Sequence, residues 1–269
     1  MAVELINILD ARDILSEAIS GSDRVLLGLD FDGTLSPIVT DPAAARMSTE
    51  NREFLQRICC NNKTDVAILS GRSLDDLRSK VDLDGVFLAG DHGLTIRNLD
   101  GSVFCPEGIK PHGDLLAQIE HIESLTSTIA GLYLEPKEFS LTVHYRQASI
   151  DTGEKLRPIL KKIVEGTDFQ LQSGRMCWEI NPIIRWNKGD AYNWVRNHLT
   201  SEKENLCQLY VGDDRTDENV FAVIPSEGFA IQVMSDEKLK SSDANYKLDD
   251  QAEVALLLEI IEQQLNDRN

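Results

Sequence analysis

The sequence lacks the features of exported, disulfide-bonded or membrane-spanning proteins. Its five cysteines are odd in number and scattered, and without a Cys-x-x-Cys pair they indicate neither a disulfide framework nor a zinc site. No apolar run approaches the roughly 18 residues that cross a bilayer. The acidic segment 1–23 also lacks the basic and apolar regions of a signal peptide. We therefore expect a cytoplasmic protein that makes no contact with a membrane.

Positive charge is also scarce. The chain of 269 residues has 27 Lys and Arg against 45 Asp and Glu, which gives a net charge of −18. Such a surface repels nucleic acid and anionic lipid, so neither is expected as a partner. A phosphorylated small molecule would be repelled at long range as well. Any site for a phosphorylated molecule must therefore concentrate Lys, Arg or a metal ion. Separately, we expect the protein to act as a monomer.

One stretch, Val25 to Leu35, organises the rest of the chain. Its apolar run predicts a buried strand of a parallel sheet, and the strand is followed by Asp30, Asp32 and the turn residue Gly33. Ligands of open α/β sheets bind beyond the carboxyl ends of the strands. Two carboxylates this close repel each other unless a cation lies between them. The stretch therefore predicts a Mg²⁺ site, because Mg²⁺ takes oxygen ligands.

Apolar runs that alternate with helical periodicity extend this pattern. Strands are predicted at 65–69, 86–89, 206–211 and 229–233, and helices at 50–60, around 74–77 and at 253–265. Strand, helix and strand at these spacings predict an α/β fold with a Rossmann-like, doubly wound parallel sheet.

The pattern changes in the middle of the chain. Residues 139–146 alternate strictly between apolar and polar, and a hairpin is predicted around Ser173-Gly174-Arg175, between two amphipathic helices. These features predict a smaller α/β cap domain, with an antiparallel sheet on two helices, inserted into the core. We assign residues 1–107 and 184–269 to the core and residues 108–183 to the cap.

Four pieces at strand ends or helix starts together suit phosphoryl transfer. Asp30 can attack phosphorus to form an aspartyl phosphate, and Asp32 can act as general acid and then as general base. Ser70 and the backbone N–H groups beside Gly71 can hold phosphoryl oxygens, and Lys188 can stabilise the charge from a helix start. The predicted ligands of Mg²⁺ are Asp30, Asp32 through its backbone carbonyl, Asp213 and Asp214. Each piece alone could be a turn, a helix cap or a solvated lysine; their joint order favours a site.

The order Asp-x-Asp, Ser, Lys, Asp-Asp resembles the four motifs of the haloacid-dehalogenase superfamily, whose fold is the core and cap described above. The stretches 29–38, 70–72, 90–93, 139–146, 178–180, 186–189 and 212–218 are similar to those of trehalose-6-phosphate phosphatases. This resemblance implies that Gly71, Arg72 and His92 contact substrate. It also implies that the cap residues Glu135, Lys137, Arg146 and Glu179 read the sugar, where surface ion pairs are the simpler alternative.

The resemblance therefore implies a Mg²⁺-dependent phosphatase of trehalose biosynthesis, with trehalose 6-phosphate as substrate and a trehalose-phosphate synthase as a functional partner. Asn187 and Asp190 depart from the family pattern beside Lys188, and Pro136 stiffens the segment that holds Glu135 and Lys137. Two alternatives stay open at this point. One is a phosphatase of another glycosyl phosphate, such as glucosylglycerol phosphate, and the other is a catalytically inactive sugar-phosphate sensor.

Overall fold

The computed structural model describes residues 5–107, 115–127, 129–174, 176–199, 205–235 and 241–267. The strands are β1 (Ile6–Asn7), β2 (Arg24–Asp30), β3 (Thr64–Leu69), β4 (Val86–Gly90), β5 (Thr95–Arg97), β6 (Val103–Phe104), β7 (Tyr133–Pro136), β8 (Leu141–His144), β9 (Phe169–Gly174), β10 (Cys177–Pro182), β11 (Leu206–Gly212), β12 (Phe229–Val233) and β13 (Tyr246–Leu248). The helices are α1 (Arg12–Gly21), α2 (Thr49–Cys59), α3 (Leu74–Val81), α4 (Leu115–Thr126), α5 (Ile150–Val164), α6 (Lys188–Leu199), α7 (Glu218–Phe221) and α8 (Glu253–Asn266).

The chain divides into two compact units, one formed by Met1–Phe104 with Trp186–Asn269 and the other by Cys105–Arg185. In the larger unit the described strands form one sheet in the order β1-β13-β12-β11-β2-β3-β4-β5-β6. The seven strands β1-β13-β12-β11-β2-β3-β4 pair in parallel. Strands β5 and β6 extend the sheet beyond β4 with antiparallel pairing. Strand β2 lies between β11 and β3, so the predicted doubly wound α/β core is confirmed.

Both faces of the larger sheet are covered, which explains why its strands are apolar without alternation. Val25, Leu27 and Leu29 join the apolar cluster that contains residues of α1, α2, α3 and α8. Leu26 points the other way and joins the cluster formed with α6 and α7. Period-two side chains therefore meet a helix layer on either face, as parallel sheets require.

The smaller unit is an antiparallel sheet in the order β7-β8-β10-β9. Leu141, Val143, Trp178 and Ile180 pack from one face of this sheet against side chains of α4 and α5. The Trp178 indole donates a hydrogen bond to the carbonyl of Gly153 at 2.8 Å. The sheet is thus half buried by its two helices, which is the physical reason for its alternating pattern.

The structure differs from the sequence-based expectation at one strand end and adds several short strands. Strand β8 ends at His144, so Arg146 lies in the turn that follows rather than on the strand. The short strands β1, β5, β6, β7 and β13 have too few residues to show a period. The predicted start of the cap at residue 108 and the turn residue Arg175 lie outside the described residues.

No helix in the described ranges combines the length and apolarity needed to cross a membrane.

Candidate active site

The carboxyl ends of β2, β3, β4 and β11 carry the polar residues that the sequence singled out. Strand β2 ends at Asp30, which is 4% exposed, and the chain then turns through Asp32 and Gly33. Ser70 follows β3 and Asp213 follows β11, and both are also buried. Parallel pairing of β2 with its two neighbours brings these three residues to one edge of the sheet.

Lys188 is the cation that lies among the buried acids. It is the first residue of α6, is 2% exposed, and donates from Nζ to Asp30 Oδ1 at 2.6 Å and to Asp217 Oδ1 at 2.9 Å. Burial raises the pKa of Asp30 well above its ordinary value, and Lys188 opposes this rise. Burial alone would lower the pKa of Lys188, but Asp217 and Asp30 hold it well above its ordinary value. Lys188 is therefore a charged partner of both carboxylates.

Asp217 is held on both of its carboxylate oxygens. Besides Lys188, Oδ1 accepts a hydrogen bond from the Tyr210 hydroxyl at 2.7 Å. Oδ2 accepts from the backbone N–H groups of Asp213 at 3.1 Å and Asp214 at 3.0 Å. These four donors match the roughly four lone-pair positions of a carboxylate. Asp217 thereby fixes the loop that carries Asp213.

The helix cap of α6 explains the two departures beside Lys188. The Asn187 side chain accepts hydrogen bonds from the N–H groups of Gly189 at 2.8 Å and Asp190 at 3.3 Å. Asp190 in turn accepts from the N–H of Asn187 at 2.9 Å. This reciprocal pattern is a capping box, so both residues start the helix that presents Lys188. One residue earlier, the Trp186 indole donates to the carbonyl of Gly93 at 2.7 Å and ties this helix start to the β4 loop.

Ser70, Gly71 and His92 lie together at the ends of β3 and β4. The carbonyl of Ser70 accepts from the N–H of His92 at 2.9 Å, and Ser70 Oγ accepts from the N–H of Arg72 at 3.1 Å. A Cβ on Gly71 would lie 2.5 Å from the His92 ring, so a larger residue there would displace the ring. Asp91 and His92 both have positive φ, at 51° and 56°. Non-glycine residues in this region carry strain, which is concentrated at functional sites.

Arg72 and Asp32 form a close ion pair. The guanidinium donates from Nε to Asp32 Oδ2 and from Nη2 to Asp32 Oδ1, both at 2.6 Å. Although burial alone would lower the pKa of Arg72, its contacts with Asp32 and Asp76 raise it. The structure therefore places Arg72 against Asp32; the substrate contact inferred for Arg72 stays a prediction.

The acidic residues near Lys188 suit a small divalent cation. Asp30, Asp213 and Asp217 each have a carboxylate oxygen within 4.8 Å of the others, and all three are buried. Three carboxylates with one lysine leave negative charge that a cation would offset, and oxygen donors are those that Mg²⁺ prefers. Asp214 lies at the same loop, where its Oδ1 accepts from the N–H and the hydroxyl of Thr216, both at 2.7 Å. Direct ligation by Asp214, and by the carbonyl of Asp32, stays a prediction.

Gly33 packs directly against the carboxylate of Asp213, and an alanine at this position tests the importance of that close contact. Its φ is +89°, and a Cβ would lie 2.1 Å from Asp213 Oδ2. We expect Gly33→Ala to lower the free energy of unfolding by about 2 kcal/mol. It should also raise the Mg²⁺ concentration needed for half-maximal thermal stabilisation, because Asp213 must move. Thermal unfolding over a Mg²⁺ titration measures both.

Gly166→Ala is the matched control for this substitution. Gly166 has a similar φ of +79°, but no atom lies within 4 Å of the Cβ position. It should therefore show the backbone strain without the contact, and its Mg²⁺ response should equal that of the wild type. An equal Mg²⁺ response in Gly33→Ala would contradict the proposed fit around Asp213.

Within the smaller unit, four charged side chains lie near Cys177 on or beside the face of the sheet that does not pack on α4 and α5. Glu135, Thr142 and Glu179 are directly opposite one another across β7, β8 and β10. Glu135 Oε2 lies 2.8 Å from His144 Nε2, and Glu179 Oε2 accepts from the Asn181 side chain at 3.3 Å. Burial raises the pKa of the Cys177 thiol to about 12, with Glu179 and Glu135 adding to the rise and Lys137 and Arg146 opposing it. The four predicted sugar-reading residues are thus neighbours, and their role stays a prediction.

The structure adds Tyr210 and Asp76 to the residues that the sequence suggested. It also shows that Asp217 contacts Lys188, Tyr210 and the loop that carries Asp213. Tyr210 is hidden in the sequence because it occupies one position of an apolar strand. Asp76 belongs to a helix of ordinary composition. Asp217 lies four residues after Asp213 within the motif 212–218, and that spacing was its only signal.

The core sheet and the acidic site at its strand ends define a protein of the haloacid-dehalogenase fold. A putative HAD/COF-like hydrolase from Plasmodium vivax shares this fold, with a TM-score of 0.61 at 17% identity over 92% of this chain and 98% of that chain. The trehalose-6-phosphate phosphatase C-terminal domain of C. albicans is more similar in structure. Its TM-score is 0.81 at 24% identity, over 98% of this chain and 99% of the other.

The sequence comparisons narrow the class to one family. The family model for trehalose-phosphatase matches residues 28–252. Trehalose-phosphate phosphatase B of Arabidopsis thaliana is 33% identical over 247 residues, which cover 88% of this chain and 66% of the plant protein. The chain therefore belongs to the trehalose-phosphatase family, a family of phosphoric monoester hydrolases, and spans about two thirds of the length of that relative.

Proposed function

We propose that the protein is a Mg²⁺-dependent phosphatase that hydrolyses trehalose 6-phosphate to trehalose and inorganic phosphate. The observation that carries this proposal is the position of Asp30 at the end of β2, 2.6 Å from Lys188 and beside two further buried carboxylates. The substrate of this proposal comes from the family, because the family model and the similar plant protein are both named for the dephosphorylation of trehalose phosphate.

In the first step Asp30 attacks the phosphorus of the substrate. Lys188 occupies Oδ1, so Oδ2 is the oxygen expected to form the new bond. Asp32 enters this step as the carboxylic acid, and the bond between phosphorus and the sugar oxygen breaks as Asp32 gives that oxygen its proton. Ser70 and the N–H groups beside Gly71 hold the phosphoryl oxygens, and Lys188 offsets their charge. The products of this step are free trehalose and an aspartyl phosphate.

In the second step water attacks the same phosphorus. Asp32 takes a proton from the water, the bond between phosphorus and Asp30 breaks, and inorganic phosphate leaves. When bound, Mg²⁺ supplies charge neutralisation and orientation of the phosphate. Its proposed ligands are the carboxylates of Asp30, Asp213 and Asp214 and the backbone carbonyl of Asp32. Asp217 is left out because its acceptor positions are taken by four donors.

The sugar specificity of this proposal rests on the cap residues. Glu135 and Glu179 can each accept two sugar hydroxyls, and Lys137 and Arg146 can donate to hydroxyl or phosphate oxygens. Cytoplasmic location, a monomeric state and functional pairing with a trehalose-phosphate synthase stay predictions.

A substrate panel tests the proposed function. Phosphate release should be measured with trehalose 6-phosphate, glucosylglycerol phosphate and glucose 6-phosphate, each with Mg²⁺ and with the metal chelated. We expect trehalose 6-phosphate to have a kcat/KM at least about tenfold above the others, a discrimination that pairing of a few polar groups can supply. Chelation should stop release from all three. A higher kcat/KM with glucosylglycerol phosphate would instead support the alternative that the protein is a phosphatase of another glycosyl phosphate.

A matched pair of cap variants separates sugar recognition from phosphate chemistry. Glu179→Gln keeps the size of the side chain and removes its charge, so the KM for trehalose 6-phosphate should rise while hydrolysis of p-nitrophenyl phosphate is retained. Glu154→Gln, on the exposed side of α5, should change neither quantity. Equal kinetics of both variants with trehalose 6-phosphate would exclude Glu179 from sugar binding.

A further inference from the structure

The Asp32 carboxylate is held in one orientation by the guanidinium of Arg72. Two N–H groups of Arg72 meet its two carboxylate oxygens at 2.6 Å each. A bidentate pair of this kind fixes the plane of the carboxylate as well as its distance. The exposed fraction is 10% for the Arg72 side chain and 34% for that of Asp32, so Arg72 is the more deeply placed member of the pair. The direction in which Asp32 points is therefore set by Arg72.

Arg72 is itself held from three sides. Its Nη1 donates to Asp76 Oδ2 at 2.6 Å, and its Nη2 also donates to the carbonyl of Pro42 at 3.0 Å. The guanidinium carbon lies 5.5 Å from the centre of the Phe31 ring. Asp76 is the second charged group in this set, and it accepts from Nη1, the guanidinium nitrogen that does not contact Asp32. Asp76, Arg72 and Asp32 thus form a chain of alternating charge.

Asp76 is anchored in the first turn of α3. Its N–H donates to the Oγ of Ser73, the N-cap of the helix, at 3.3 Å. Its second carboxylate oxygen lies 3.7 Å from Lys80, whose Nζ donates to the carbonyl of Ala43 at 3.0 Å. The carboxylate of Asp76 is thus attached to a rigid element, while Arg72 belongs to a loop. A loop side chain needs such a support to keep one rotamer.

We propose that Asp76 is a positioning residue for the acid–base group Asp32, and that it acts through Arg72. This inference rests on the proposed function, in which Asp32 gives a proton to the departing sugar oxygen. Without the carboxylate of Asp76, Nη1 of Arg72 loses its acceptor and the fork on Asp32 loses its fixed plane. Proton transfer depends on that plane, whereas attack by Asp30 does not.

Two substrates with different leaving groups separate these steps. A sugar alkoxide must be protonated as it leaves, whereas p-nitrophenolate leaves without a proton. The parameter to compare is kcat/KM, because it reports only the steps through the first irreversible bond cleavage. We expect Asp76→Ala to lower kcat/KM for the sugar phosphate by about 10- to 100-fold, a part of what general acid catalysis contributes. The kcat/KM for p-nitrophenyl phosphate should stay close to that of the wild type.

Three further variants make the result decisive. Asp75→Ala removes the neighbouring, exposed carboxylate from the same helix turn and should match the wild type with both substrates. Asp76→Asn keeps an acceptor oxygen for Arg72 and should recover much of the loss, including where the alanine variant folds poorly. In an Asp32→Asn background, Asp76→Ala should cause no further loss, because its effect passes through Asp32.

Equal losses with both substrates, or an additive loss in the Asp32→Asn background, would overturn the inference and indicate a structural role. An unchanged kcat/KM in Asp76→Ala would overturn it as well. Failure of the proposed function looks different, because the wild type itself would then release little or no phosphate from trehalose 6-phosphate.

Discussion

Replacing Asp30 by asparagine should lower kcat for phosphate release by about 10⁴-fold or more, the order of loss that follows removal of a nucleophile. An amide oxygen is a poor nucleophile, and the attached phosphoryl group would lack its carboxylate leaving group. The side chain keeps its size at the buried end of β2, so the fold should survive. The measurement is phosphate release from trehalose 6-phosphate with Mg²⁺, together with capture of phosphorylated protein after an acid quench.

Asp65→Asn is the control for this prediction. Asp65 is also buried and ion-paired, with Arg24, whose Nε donates to it at 3.1 Å, but it lies at the amino-terminal end of β3. This substitution should reduce stability without changing kcat. Equal residual phosphate release by Asp30→Asn and the wild type would exclude Asp30 as the nucleophile. Retained binding of the substrate without turnover by the wild type would instead support the sensor alternative.

Replacing Lys188 by methionine should affect both stability and turnover. Lys188 is the cation shared by Asp30 and Asp217, and its removal leaves two buried carboxylates without their partner. Breaking a buried pair in this way costs about 3–5 kcal/mol in the free energy of unfolding. Loss of its charge from the phosphoryl site should also lower kcat by roughly 10²- to 10³-fold. Urea unfolding followed by circular dichroism and phosphate release measure the two effects.

Lys247→Met is the control for the loss of a lysine. Lys247 pairs with Asp249 at 2.7 Å, and both side chains are partly exposed. Such a pair contributes about 0–1 kcal/mol, so this variant should be nearly as stable as the wild type and equally active. A Lys188→Met variant as stable as Lys247→Met would contradict the buried ion-pair arrangement.

Much of the core could be predicted because its cause is local. The run Val25 to Leu29 is continuous in apolarity since helices cover both faces of β2, and that burial leaves a direct trace in the sequence. The hairpin of β9 and β10 was predicted for a related reason, because one face of its sheet packs on helices. The short strands β1 and β13 left no trace, since two or three residues cannot show a period.

The site was predictable only as a set of residue types. Asp30, Lys188 and Asp213 were suggested by their positions after strands or at a helix start, together with the family resemblance. Which acid meets Lys188 depends on how one turn closes. The backbone N–H groups of Asp213 and Asp214 point at Asp217, and this places Asp217 rather than Asp214 on the lysine. A difference of three residues in one loop cannot be read from composition or spacing.

The sequence by itself determined the doubly wound core, the inserted smaller unit and the residues available for phosphoryl transfer, because burial and strand ends are recorded in residue order. Only the tertiary structure decided the partners: Lys188 between Asp30 and Asp217, Gly33 against Asp213, and Arg72 between Asp32 and Asp76. Lys188 is 158 residues from Asp30 along the chain. Contacts of this kind arise from the parallel pairing of strands and the packing of helices, which bring distant residues to one edge of the sheet.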